Sequence, residues 1–158
     1  MKTAIIYATS RGTTEKAAQQ LAECLPGKTD IINLKSSIEI NLDDYEAIIV
    51  GSSIHMGTMQ AKVKKFITTH HDQLLTKRLG LFLCCMREGS EAQLQFDTNY
   101  PESLRKHAVA NGLFGGEFDF AKMNFIQKFI VKKVGGHTTN VSTFNQGEIK
   151  KFAIAFEV

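Results

Sequence analysis

The chain has 158 residues, of which 43% are hydrophobic and 22% charged, with a formal net charge of +3. That length points to one compact domain, and that composition excludes disordered and collagen-like classes. The longest apolar stretch, around Leu79–Met86, falls far short of the roughly 20 residues that a membrane helix needs.

Lys2–Tyr7 is short, apolar and β-branched, which predicts a buried strand. A helix over about Thr13–Cys24 follows, with Ala17, Ala18, Leu21, Ala22 and Leu25 at helical spacing and Pro26-Gly27 as its stop. Thr29–Leu34 is expected as a second strand and Ala47–Val50 as a third, opening into Gly51-Ser52-Ser53. Residues 60–71 read as a helix, with Ala61, Val63, Phe66 and Ile67 inward and Lys62, Lys64 and Lys65 outward. Leu79–Cys84 is a fourth buried strand. Residues 87–99 form one long polar connection, and such connections tend to be functional. Pro101–Ala110 is expected as a helix, and Leu113–Phe118 as a fifth strand interrupted by Gly115-Gly116. An apolar and basic helix over residues 120–134 and a closing helix over Gln146–Phe156 complete the chain. Strands alternating with helices predict an α/β fold: a single doubly wound domain over residues 1–158, with a five-stranded parallel sheet in the order 2-1-3-4-5.

The first strand-to-helix turn is Thr9-Ser10-Arg11-Gly12-Thr13-Thr14. It carries neither of the common glycine-rich phosphate signatures. It does supply four hydroxyls, one glycine for a tight turn and the free amides of a helix start, and these suit a terminal phosphate. Arg11 adds positive charge beside them. One hydroxyl would suffice for an ordinary helix cap; four around a glycine are an excess.

Cys84 and Cys85 end a buried strand, where small core residues are the simpler reading and redox chemistry the sharper one. With Cys24 they are too few and too oddly placed for a disulfide framework or a four-ligand zinc site. His70-His71 ends a helix, where histidine complements the dipole, and no metal is expected there. Nucleic acid is not an expected partner, since no basic stripe is interleaved with aromatics. Met1-Lys2 runs straight into a strand-like segment with no apolar signal region, so the expected location is cytoplasmic.

Thr9–Glu15 resembles the phosphate loop of the flavodoxins, with Arg11 where that family usually has Thr. Gly51-Ser52-Ser53-Ile54-His55-Met56-Gly57 is similar to the branch of flavodoxins that contains the menaquinone-dependent protoporphyrinogen IX dehydrogenases, and so is Phe125–Gly136. That branch often carries a basic insertion after the fourth strand; here Arg87-Glu88-Gly89-Ser90-Glu91 is mixed in charge.

The resemblance implies a flavodoxin-like fold with FMN as cofactor. Its phosphate would lie in Thr9, Ser10, Arg11, Gly12, Thr13 and Thr14. Its ring would lie between Ser52, Ser53, Ile54, His55, Met56 and Gly57 on one side and Cys84, Cys85, Met86 and Arg87 on the other. Gly51 and Gly57 would let backbone amides approach the ring. The implied activity is oxidation of protoporphyrinogen IX or a similar substrate, a step of porphyrin biosynthesis, with a quinone as acceptor. Arg87, Arg105, Lys106 and Lys122 are candidates for a basic rim that receives the substrate's carboxylates. The 120–134 helix would then touch the inner membrane face peripherally through Lys122, Lys128, Lys132 and Lys133. The alternative is a soluble electron carrier that docks on redox partner proteins, a group that is typically strongly acidic.

Overall fold

The computed structural model describes residues 2–9, 12–36, 39–55, 57–87, 89–115, 117–118, 141–142 and 145–157. The expected helix over 120–134 lies outside them, as do Ser10, Arg11, Met56 and Lys122.

β1 (Lys2–Ala8), β2 (Lys28–Asn33), β3 (Ala47–His55), β5 (Arg78–Cys84) and β6 (Ala110–Leu113) form the sheet in the order β2-β1-β3-β5-β6. All four of its ladders are parallel, and counting the long strands alone gives the expected 2-1-3-4-5. A short β4 (Thr58–Met59) folds back antiparallel on the end of β3, pairing Ile54 with Met59 and His55 with Thr58. The first and third expected strands therefore run further than their apolar cores, β3 by the whole Gly51–His55 segment.

α1 (Thr13–Cys24) and α5 (Gln146–Glu157) cover one face of the sheet; α2 (Ala61–Leu74), α3 (Gly89–Asn99) and α4 (Glu102–His107) cover the other. The division follows from strand alternation: Ala4, Ile6 and Ala8 face α2 and α3, while Ile5 and Tyr7 face α1 and α5. Both faces being buried explains why β1 and β5 read as continuous apolar runs.

Under α5, aromatic rings fill space that glycines leave. Phe82 stacks on Phe114 at 4.8 Å between ring centroids, and Phe152 meets Phe114 edge-on at 5.4 Å. A Cβ on Gly112 would lie 2.6 Å from Phe114 and 2.8 Å from Phe152, and one on Gly80 would lie 2.7 Å from Phe152. These strand glycines are packing positions.

Two expectations are corrected. The polar connection 87–99 is largely the helix α3, held by Ala92 and Phe96, with Tyr100 next in the same fourfold spacing. The Tyr100 hydroxyl, fully buried, donates to the Phe82 carbonyl at 2.8 Å, with the Val50 carbonyl at 3.3 Å. Burial raises the Tyr100 phenol well above its ordinary pKa, so it stays a donor. The fifth strand is Ala110–Leu113, not Leu113–Phe118, and the helix before it is shortened to Glu102–His107. Glu117–Phe118 instead pairs antiparallel with Val141–Ser142, as β7 and β8 of a separate two-stranded ribbon. Among the described residues, no helix is long and apolar enough to cross a membrane.

Candidate functional site

In a doubly wound sheet the crevice for a ligand lies at the carboxyl ends of the strands, where the winding reverses. Here β1, β3 and β5 are adjacent, so the segments after them share that edge: Thr9–Thr14, the β3–β4 hairpin and Cys85–Arg87.

The first segment is built to leave donors open. Gly12 is the N-cap of α1 at φ +88° and, being glycine, offers no side chain of its own to cap the helix. A Cβ placed on Gly12 would meet nothing within 4 Å, so the space above the turn is clear. Thr9 is buried, and its hydroxyl accepts the Gly12 amide at 3.1 Å, which tightens the loop. Thr13 is half-buried. Thr14 is fully buried, and its Oγ1 has no hydrogen-bond partner among the described residues. A buried hydroxyl left unpaired costs free energy, so this one marks a place where an acceptor belongs. The Glu15 carboxylate, which would oppose an anion, is engaged with the Tyr7 phenol; burial and then Glu15 push that phenol's pKa up.

Lys35 was not foreseen. Its Nζ donates to the Thr9 carbonyl, bringing a cation to the first residue of the loop. The signal was in the topology: β2 runs parallel to β1, so the segment after Asn33 lies beside the segment after Ala8.

The second segment is held mainly by its own side chains. Ser52 Oγ donates to the Ser53 carbonyl at 2.9 Å and accepts the Gln60 amide at 3.0 Å. Ser53 Oγ accepts from Gln60 Nε2 at 3.0 Å. Both hydroxyls thus tie the hairpin to the start of α2. Ile54 is half-buried, His55 is exposed, and Gly57 turns the chain at φ +78° with open space where a Cβ would stand. Gly51 does not serve a ligand through a missing side chain. A Cβ there would fall 2.0 Å from the Phe82 ring, so Gly51 makes room for the core.

Behind the third segment, Cys84 and Cys85 are buried in opposite faces of the sheet. Burial raises the Cys85 thiol pKa, and its Sγ lies 3.6 Å from the Arg87 carbonyl. This environment favours inert thiols. Met86 is half-buried and Arg87 exposed.

Of the expected basic rim, the three residues that are described each have an acidic neighbour. Arg87 pairs with Glu91 at 3.4 Å, Arg105 with Asp97 at 3.4 Å and Lys106 with Glu102 at 2.8 Å. The neighbour of Lys106, His107, bonds the Lys77 carbonyl at 2.8 Å just before β5 begins. That end of α4 therefore lies at the edge of the sheet opposite the site.

The sequence matches the family described as "Flavodoxin domain" over residues 4–144. The chain belongs to the flavodoxin family. A curated relative, "Protoporphyrinogen IX dehydrogenase [quinone]" of Leishmania major, is 24% identical over 98% of this chain and 74% of its own length. Among solved structures, oxidised flavodoxin 1 of Bacillus cereus is 17% identical, with a TM-score of 0.58 over 99% of this chain and 97% of that one. A flavodoxin from the domain Archaea is 19% identical, with a TM-score of 0.56 over the whole of both chains. The flavodoxin-family chain spans about half the length of two Fusobacterium nucleatum flavodoxin chains with which it also aligns.

Proposed function

We propose that this flavodoxin-family chain is an FMN-dependent oxidoreductase that takes hydrogen from protoporphyrinogen IX or a similar reduced substrate and passes it to a quinone. FMN is its cofactor, and oxidation–reduction is its chemistry. One observation supports the phosphate assignment: a fully buried Thr14 hydroxyl without a partner among the described residues stands at the start of α1, whose N-cap is a glycine. A phosphate monoester dianion fits that donor set, because a helix start offers free amides and a dipole of the right sign.

Bound FMN would supply the electron transfer; the chain supplies position and surroundings. Gly12, Thr13 and Thr14 would hold the phosphate, with the Lys35 ammonium adding charge behind the loop. The turn at Gly57 and the segment Cys85–Arg87 would flank the ring with backbone groups. Ile54, half-buried, would offer an apolar wall, and His55 beside it is exposed.

The finer substrate and acceptor rest on the Leishmania major relative and on the Gly51–Gly57 segment. The net charge of +3 supports the same choice over the acidic carrier type. The second reading, electron transfer to a partner protein, is favoured by likeness over nearly the whole of both chains to flavodoxins of known structure. The test is anaerobic assay of the FMN-loaded protein with protoporphyrinogen IX and menadione. Formation of protoporphyrin with matching loss of menadione supports the enzyme. No turnover, together with reduction of the bound cofactor by a reductase partner, supports the carrier.

A further inference from the structure

The turn that would face the ring is fixed from outside the hairpin. Asn99, the last residue of α3, donates from Nδ2 to the Gly57 carbonyl at 3.1 Å, and its Oδ1 accepts the Met59 amide at 3.0 Å. The same Nδ2 donates to the Gln95 carbonyl one turn back in α3 at 2.8 Å, which sets the side chain's orientation. One amide group therefore grips the hairpin on both sides of Thr58. It does so from α3, which begins at Gly89, two positions after Arg87, and ends at Asn99 against the hairpin.

The grip has a rigid base. Phe96, Tyr100 and Ala92 are buried, Phe96 and Tyr100 lie 5.0 Å apart between ring centroids, and the Tyr100 hydroxyl reaches backbone carbonyls of β3 and β5. Gly57 itself is a weak point: with φ +78° and no side chain it can take up several orientations. A carbonyl held by a fixed amide loses that freedom.

We propose that Asn99 is a positioning residue for the cofactor ring: by holding the Gly57 carbonyl and the Met59 amide it sets the peptide orientation that the hairpin presents to the flavin. The inference rests on the FMN reading above. An amide is required because the hairpin offers one acceptor and one donor to it. Aspartate would keep the bond to the Met59 amide and turn an acceptor against the Gly57 carbonyl. Leucine would fill the volume and make neither bond.

The experiment compares wild type with Asn99→Asp and Asn99→Leu by circular dichroism, by FMN and riboflavin titration of the apoprotein, and by the midpoint potential of bound FMN. Both variants fold, since their helix anchors are intact; Asn99→Ser serves if Leu does not. FMN and riboflavin affinities both fall in each variant, by about tenfold in Asn99→Leu, which loses both hairpin bonds. The midpoint potential also moves, because a loosened turn does not disfavour the oxidised and reduced ring equally. Unchanged affinity overturns the proposal. So does lower affinity at unchanged potential, which makes Asn99 a clamp on the fold alone. If wild type takes up neither FMN nor riboflavin, the FMN reading itself falls, and this inference with it.

Discussion

Replacing Thr14 by Val should move stability and binding in opposite directions. The two side chains have nearly the same shape and both are β-branched, so packing and helix propensity change little. What disappears is a fully buried hydroxyl that has no partner among the described residues. An unsatisfied buried donor costs about 1–3 kcal/mol, so the apoprotein should gain about 1 kcal/mol and its Tm should rise by about 2–4 °C. The same hydroxyl would donate to a phosphate dianion, a bond of about 1.5–3 kcal/mol, so FMN should bind about 10- to 150-fold more weakly. Riboflavin, which lacks the phosphate, should bind as it does to wild type. The assay is a thermal melt of the apoprotein beside titrations with both ligands, each followed by flavin fluorescence. General damage to the fold cannot imitate the pattern, since damage lowers both quantities. A Thr14→Val apoprotein that melts lower, or one that holds FMN as tightly as before, would refute the assignment.

Gly51→Ala should destabilise the protein by about 1–3 kcal/mol in urea unfolding, because the new Cβ would stand 2.0 Å from the Phe82 ring inside a packed face. Equal stability to wild type would mean that Phe82 moves freely. Tyr45 has its phenol raised from 10.0 to about 12, first by burial and then by Asp30, which accepts its hydroxyl at 2.8 Å. The unfolded chain thus loses this proton before the folded one does. Its contribution to stability is complete below pH 10.0 and is lost as pH rises towards about 12, so Tyr45→Phe should show a shallower loss across that window. Cys24 is exposed while Cys84 and Cys85 are buried, so Ellman's reagent should label Cys24 at once and the other two only on unfolding. Rapid labelling of all three would contradict the buried end of β5.

β1, β5 and the Ala47–Val50 half of β3 were legible because both faces of the sheet are covered there, which makes them read as apolar runs. α1 was legible from its spacing and its Pro-Gly stop, although Leu25 is its extended C-cap, and in α2 Ala61, expected inward, is exposed. The signal for α3 was weaker but present: Ala92, Phe96 and Tyr100 recur every fourth residue, while Leu94, the other large apolar residue among them, is 66% exposed and blurs the pattern. β6 was hidden for a different reason. Ala110-Asn111-Gly112-Leu113 has poor strand propensity, and Gly112 is tolerated there because Phe114 and Phe152 take the space of its side chain. Such a tertiary cause leaves no local mark in a sequence.

For the site, residue type proved a good guide to location and a poorer one to task. Thr9, Ser52 and Ser53 all reach the expected edge, yet their hydroxyls bond to Gly12, the Ser53 carbonyl and Gln60. Each holds a backbone segment in shape. On the reading proposed above, the ring would meet chiefly main-chain groups, held by Ser52 and Ser53 within the hairpin and by Asn99, 42 residues beyond Gly57, from outside it. The proposed phosphate side differs: the Thr14 hydroxyl has no partner among the described residues, and the helix starts on a glycine. A substitution on the phosphate side should therefore discriminate between FMN and riboflavin. One on the ring side should not, and should act on the redox balance instead. That contrast separates the two halves of the site by experiment without knowledge of the substrate.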